Sequence, residues 1–349
     1  MSKISLWSLL PEELDAQLIQ AGYKKFRSQQ ILLWLYKQNA RSFTAMTNLD
    51  KKSRDELDNL YSLYLPEVAE EQVSQDGTRK FLLQLQDANY IEMVLIPGIE
   101  KLTLCISSQV GCSRGCQFCA TSRLGLTRNL NTDEIIGQII KAGQLTAPQK
   151  ITNIVFMGMG EPLDNLDTVI KSINILQHER TLAFSPRRVT VSTCGIVPGI
   201  LKLADTGVKM KLAVSLNAAL DEKREILMPV NQRYPLAQLK PALLYFSRRS
   251  PHRITFEYVL IKNFNMAKED MKALRAFTGD ISSKINIIPW NPVPGSSWQA
   301  PSAEEVAAFQ QELYKTSNVA VTLRNSRGQD ISAACGMLAG KKKKEEQKI

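Results

Sequence analysis

Apolar positions recur along this chain with two different periods, and the change between them divides it. Up to about residue 75 they fall at helical spacing between short polar loops. Pro11-Glu12-Glu13 opens one helix with acids in its first turn. Ile31, Leu32, Leu33, Trp34, Leu35 and Tyr36 form the apolar stretch of a second, and Leu49 through Leu60 marks a third. From about residue 78 the period becomes two. Segments 79–86 and 90–96 read as an antiparallel strand pair joined through Asp87-Ala88-Asn89. Strands then alternate with helices. The strands are expected at 102–106, 153–157, 188–192, 211–215, 255–260 and 285–288. The helices are expected at 132–147, 165–177, 197–205, 236–248 and 268–278, with a further helix at 303–314 and a strand at 320–323. Repeated units with apolar strands predict an α/β fold built on a parallel sheet or barrel. Six units suggest an incomplete (β/α)6 barrel, preceded by a helical accessory domain and the antiparallel pair.

The main chemical signal lies just after the first barrel strand, in Cys112-Ser-Arg-Gly-Cys116-Gln-Phe-Cys119. A structural zinc site closes with four ligands, and most iron–sulfur clusters also take four cysteines. Three cysteines in one loop can hold three irons of a cubane and leave the fourth iron open to a small molecule. That layout suits making a radical from S-adenosylmethionine (SAM), a job for a cofactor rather than for protein groups. A zinc knuckle completed by a distant cysteine is the plainer alternative, but structural zinc sites favour paired C-x2-C units.

Composition narrows the setting. At 44% hydrophobic, the 349 residues can bury a large core and an accessory domain. No run of about 18 apolar residues is present, so no membrane span is expected, and acids soon after the first apolar patch argue against a signal peptide. Six cysteines with three clustered point to metal in a reducing compartment, and hence to a cytoplasmic protein. The formal charge is +10, of which 341–349 carries +3, so the body is basic too. A basic body favours a polyanion such as nucleic acid. Lys24, Lys25, Arg27, Arg123 and Arg128 are candidate RNA contacts.

The other unusual motifs fall at strand ends, where parallel α/β folds bind ligands. Gly158-Met-Gly-Glu-Pro follows the second barrel strand, Ser192-Thr-Cys-Gly the third, Ser215-Leu-Asn the fourth and Trp290-Asn-Pro the last. Gly158 and Gly160 let backbone approach a ligand closely. Glu161 suits an ammonium, while Ser192, Ser215, Asn217 and Asn291 offer neutral hydrogen bonds to a carboxylate or ribose. Cys194 is read as a packing residue.

Together these segments resemble the RlmN/Cfr family of radical SAM RNA adenosine methyltransferases. The resemblance rests on Cys105-Ile-Ser-Ser-Gln-Val-Gly-Cys112, Gly158-Met-Gly-Glu-Pro-Leu163, Ser185-Pro-Arg-Arg-Val189, Ser192-Thr-Cys-Gly195, Trp290-Asn-Pro-Val-Pro294 and Asp330-Ile-Ser-Ala-Ala-Cys335-Gly336. It implies a radical SAM barrel over 101–338 ending in a catalytic cysteine loop. Around the barrel lie an accessory, RNA-binding candidate domain over 1–75, a strand linker over 76–100 and a basic tail over 339–349. It implies that Cys112, Cys116 and Cys119 ligate a [4Fe–4S] cluster, and that Gly160, Glu161, Ser192, Ser215, Leu216, Asn217 and Asn291 contact SAM. Cys335 is then the methyl-carrying cysteine, Cys105 the resolving cysteine and Glu92 the proton acceptor.

The implied chemistry explains the two extra cysteines. Adenine C2 is electron-poor and SAM is an electrophile, so direct transfer between them is unfavourable. The Cys335 thiolate takes a methyl from one SAM, and a radical from a second SAM abstracts a hydrogen from that methyl. The carbon adds to the ring of an adenosine in 23S rRNA, or in tRNA beside the anticodon. Cys105 then attacks the Cys335 sulfur, and a Cys105–Cys335 disulfide forms as the product leaves. The implied partners are those RNAs and an electron donor such as flavodoxin or ferredoxin, for a monomeric enzyme. Methylation at C8, as by Cfr, uses the same cysteines and stays open, as does a zinc-bearing RNA-binding protein without activity.

Overall fold

The computed structural model describes residues 3–293 and 296–340. The three N-terminal helices form as α1 (Pro11–Gln20), α2 (Phe26–Tyr36) and α3 (Lys51–Leu60). Pro11 stands in the first turn of α1, where its missing N–H costs nothing, and Glu12 and Glu13 face the positive end of the helix dipole. Asp50 caps α3 by accepting from the Ser53 N–H at 2.9 Å. The apolar faces close around Trp7, edge-on to Tyr36 at 5.6 Å. Charged contacts from α1 fasten this unit to the barrel. Arg180 holds the Asp15 carboxylate through two bonds of 2.7 and 2.8 Å, and Lys171 binds Glu13 at 2.9 Å.

One ten-stranded sheet organises the rest. Its strands are β1 (Glu67–Val73), β2 (Arg79–Gln84), β3 (Tyr90–Gly98), β4 (Lys101–Cys105), β5 (Asn153–Phe156), β6 (Val189–Thr193), β7 (Lys211–Ser215), β8 (Ile254–Leu260), β9 (Ser283–Pro289) and β10 (Ala320–Leu323). They lie side by side in chain order. Strands β1 to β4 pair antiparallel, and β4 to β10 pair parallel. The predicted incomplete barrel is therefore present, with a seventh parallel strand and a three-stranded antiparallel wing. Helices including Thr132–Thr146, Leu166–Gln177 and Val197–Asp205 connect the parallel strands, as the alternation predicted. No helix among the described residues is long and apolar enough to cross a membrane.

Two elements depart from the sequence pattern. Strand β1 begins well before residue 78, where the period-two region was expected. All but one of its residues are exposed, so Glu-Val-Ala-Glu-Glu-Gln-Val shows no apolar alternation. It is an edge strand, and its glutamates blunt the open edge. The second is a small hairpin, Gln109–Cys112 against Gly125–Asn129. Its first strand is wholly buried and so carries no alternation either. Gly111 permits it: φ is +79°, and a Cβ there would lie 1.9 Å from the Gly125 carbonyl oxygen.

The Asp15–Arg180 contact generates a pH prediction. The Arg180 hydrogen bonds hold the Asp15 carboxyl down to about 2. Its stabilisation is full above the unfolded carboxylate value near 3.9 and is lost as pH falls towards about 2, amounting to about 2 kcal/mol at neutrality. Urea unfolding of Asp15→Asn should show that loss at pH 7 and a shrinking difference from wild type between pH 4 and 2. A difference independent of pH would contradict the assignment.

Candidate active site

The cysteine loop is shaped by its own backbone. Cys112 ends the first strand of the small hairpin. Beyond it the Cys119 N–H donates to the Cys116 carbonyl at 3.1 Å, and Ser122 Oγ reaches the carbonyls of both Cys116 and Cys119 at 2.7 and 2.8 Å. Arg114 is fixed by an ion pair with Asp164. All three thiols line one cavity of about 160 Å³, at the ends of the parallel strands where the motifs were expected. Gly160, Glu161, Ser192, Ser215, Asn217 and Asn291 line it too.

Glu161 is the buried carboxylate of this cavity. Its oxygens accept from the Cys194 N–H at 2.8 Å and the Leu163 N–H at 3.0 Å, and burial pushes its carboxyl up. Cys194 is more than packing: its thiol also hydrogen-bonds Glu161, and its carbonyl accepts from Arg224 at 2.6 Å. Each Glu161 oxygen keeps acceptor capacity for a ligand cation.

Several predicted ligand contacts serve the protein itself. A Cβ on Gly158 would meet the Ile106 backbone at 2.7 Å, and one on Gly160 would meet Gln109 Cβ at 2.5 Å. These glycines let two protein segments approach each other, and both also line the cavity. Leu216 is fully buried, with its N–H on the Glu257 carbonyl at 3.0 Å, and does not line the cavity. Asn217 adopts φ +56°, a conformation asparagine tolerates. Its Oδ1 accepts from the Val259 N–H at 3.0 Å. Asn291 donates to the Cys335 carbonyl at 3.1 Å and accepts from Gln329 at 2.8 Å.

A second cavity, of about 220 Å³, adjoins the first. Cys105, at the end of β4, lines it together with Ile96 and the exposed Asn325 and Arg327. Met157, Ile288, Arg324 and Cys335 line both cavities. Cys335 therefore stands in their shared wall. Burial first, and then the Cys335 sulfur, push the Cys105 thiol up to about 12. Charge on Cys335 raises the pKa of Arg324, with Glu257 and Cys105 adding to it. Sequence reasoning missed Arg324 and Glu257. Glu257 was detectable as the one charged residue inside the apolar run 254–260, and Arg324 as the residue following the seventh strand.

Glu92 is not brought to either cavity. It is buried, ion-paired with Lys80 at 3.4 Å, and accepts from the Ala339 N–H at 2.7 Å. Lys80 in turn reaches the Ser332 carbonyl at 3.5 Å. The pair thus grips both shoulders of the loop that carries Cys335. Of the suggested RNA contacts, Arg27 and Arg128 are ion-paired to Asp50 and to Asp87 and Glu134.

Comparison with known proteins agrees with this geometry. Residues 106–274 match the radical SAM superfamily, and residues 4–63 match the ribosomal RNA large subunit methyltransferase N-terminal domain. A dual-specificity RNA methyltransferase RlmN of Geobacter sulfurreducens is 46% identical over 340 residues, 97% of this chain and 92% of that one. The chain belongs to the RlmN family. Another member, from Geotalea uraniireducens, is 44% identical over 98% of both chains. The crystal structure of a radical SAM methyltransferase from Sphaerobacter thermophilus superposes with TM-score 0.92 at 39% identity, covering 97% of this chain and all of that one. As in the rest of the RlmN family, the cofactors are a [4Fe–4S] cluster and SAM. The donor set fits them: three thiols and a buried carboxylate suited to an ammonium line the same cavity.

The Lys80–Glu92 pair makes a prediction. Lys80→Met leaves a buried carboxylate without its cation and should cost about 3–5 kcal/mol in urea unfolding, while Lys80→Met/Glu92→Leu should recover most of the loss. Equal losses would show that the pair does not act as a unit.

Proposed function

We propose that this chain methylates C2 of adenosine in 23S rRNA and in tRNA next to the anticodon, as a cytoplasmic, monomeric enzyme reduced by a flavodoxin or ferredoxin. The observation that carries the proposal is Cys335 in the wall between two cavities, one lined by the three-cysteine loop and the other by Cys105. In this reading Cys112, Cys116 and Cys119 hold the cluster. Glu161, Ser192 and Ser215 bind SAM with their side chains, and Gly160, Leu216, Asn217 and Asn291 contribute through backbone or by setting the cavity shape. When bound, the reduced cluster and SAM supply a carbon radical that takes a hydrogen atom from a methyl group.

The chain's own residues do the rest. Cys335 attacks the methyl of SAM as a thiolate and keeps it as a thioether. Arg324 stands beside both thiols, and its positive charge works against the burial that raises the Cys105 thiol. Cys105 waits as a buried thiol on the far side. Once the methylene carbon is bonded to the base and the adduct has lost its ring proton and one electron, Cys105 attacks the Cys335 sulfur. The carbon–sulfur bond breaks, the carbon takes a proton to become the methyl group, and the RNA leaves a Cys105–Cys335 disulfide behind. For Glu92 to take the ring proton, its bonds to Lys80 and Ala339 must open, so its anchoring role is the one the contacts support. Methylation at C8 would use the same cysteines, and the names of the relatives favour C2.

Anaerobically reconstituted protein should convert an rRNA fragment to 2-methyladenosine by nucleoside mass spectrometry. The appearance of 8-methyladenosine alone would overturn the choice of C2. Cys335→Ala should abolish protein-bound methyl with the cluster retained, and Cys105→Ala should accumulate an RNA–protein crosslink. Normal turnover by either variant would contradict the mechanism.

A further inference from the structure

The barrel strands carry a second pattern below the site. Side chains alternate across a strand, so every second residue faces the same way. Ser192 and Ser215 face the first cavity, Ile288 faces both, and Cys105 faces the second. Two positions lower on the same faces stand Thr190, Ala213, Asn286 and Thr103. Two positions lower again stand Lys211, Lys284 and Lys101, with Arg188 in the short 3-10 turn that leads into β6. Thr103, Thr190 and Asn286 are half-buried polar residues, and in the same layer stand the half-buried Val155, paired with Thr190, and the fully buried Ala213. Each column thus descends from the site through small or neutral groups to a cation.

The cations form one rim with Arg187. Burial, and then Lys284, Lys101, Arg187 and Arg188, push the Lys211 pKa down, so these side chains sit within electrostatic reach of one another. Lys284 also acts on Glu257, which lines the first cavity. Among the described residues none of these five cations makes a salt bridge. Uncompensated like charges destabilise a fold, and an anionic partner relieves them.

We infer that the target adenosine enters the barrel from the strand-starting edge, with the phosphates of flanking single-stranded RNA seated on Lys101, Arg187, Arg188, Lys211 and Lys284. This rests on the methyltransferase reading above. Four strand residues, about 13 Å, separate the rim from Cys105. A base turned out of its strand can therefore reach the second cavity while its backbone stays at the rim. An acidic electron-donor protein is the other polyanion to consider. The rim lies at the opposite end of the strands from the cysteine loop, which disfavours it as an electron entry point.

The test uses full-length reconstituted protein carrying Arg187→Ala/Arg188→Ala/Lys284→Ala, with an rRNA fragment containing the target adenosine. Iron content and far-UV circular dichroism check that the variant is folded, and Arg187→Lys/Arg188→Lys serves as the charge-conserving control. The expected result is a KM and a Kd for RNA raised about tenfold or more, with a smaller fall in kcat. The slope of log Kd against log salt should fall by about 2, roughly 0.7 for each single-strand phosphate no longer neutralised. The lysine control should stay near wild type. Unchanged Kd and salt slope would overturn the inference. So would a variant slowed only when flavodoxin, and not dithionite, supplies electrons, because the rim would then serve the reductant. Wild-type protein that binds the fragment in a rim-dependent way yet methylates nothing would keep the groove and sink the methyltransferase reading instead.

Discussion

The site depends on one contact between segments more than two hundred residues apart, the packing of the Cys335 loop onto the cysteine loop. The Ala120 N–H donates to the Gly336 carbonyl at 2.6 Å, and Thr121 Oγ1 donates to the Leu338 carbonyl at 2.7 Å. Gly336 holds φ +82°, and a Cβ there would come within 3.1 Å of the Phe118 carbonyl. Each bond is worth only about 1 kcal/mol net. Together they bring the Cys335 thiol to the wall of the cavity lined by Cys112, Cys116 and Cys119.

That constraint gives the antiparallel wing its purpose. The turn between β1 and β2 holds the near end of the loop: Ser74 Oγ donates to Asp330 at 2.6 Å, and the Gly328 N–H donates to Asp76 at 2.9 Å. Lys80 and Glu92 take Ser332 and Ala339. The anchors sit at the shoulders, while Cys335 itself is only half-buried. A loop fixed at its ends and open at its centre can present one sulfur to two cavities.

Much of this was legible in the sequence. The parallel strands and their helices followed from apolar runs of the right length, and the cysteine, Gly158, Ser192, Ser215 and Asn291 motifs fell at strand ends because the barrel puts them there. The rest required the folded chain. Strand β1 is an edge with no buried face, and Gln109–Cys112 is buried on both faces, so neither has a period to read. Asn217 and Asn291 have the right chemistry for a ligand, yet their side chains are engaged by Val259, Cys335 and Gln329. Glu92 sits in an alternating strand in either role, and only the contacts to Lys80 and Ala339 reveal the anchor.

The account stands on Cys335 facing both cavities. The direct test is a crystal structure of the reconstituted protein carrying S-methylated Cys335, with SAM bound. The account predicts the methyl carbon within about 3–4 Å of the SAM 5′ carbon, close enough for hydrogen transfer, with the Cys105 sulfur on the other side of the wall. A methyl turned wholly into the Cys105 cavity, out of reach of SAM, would contradict it.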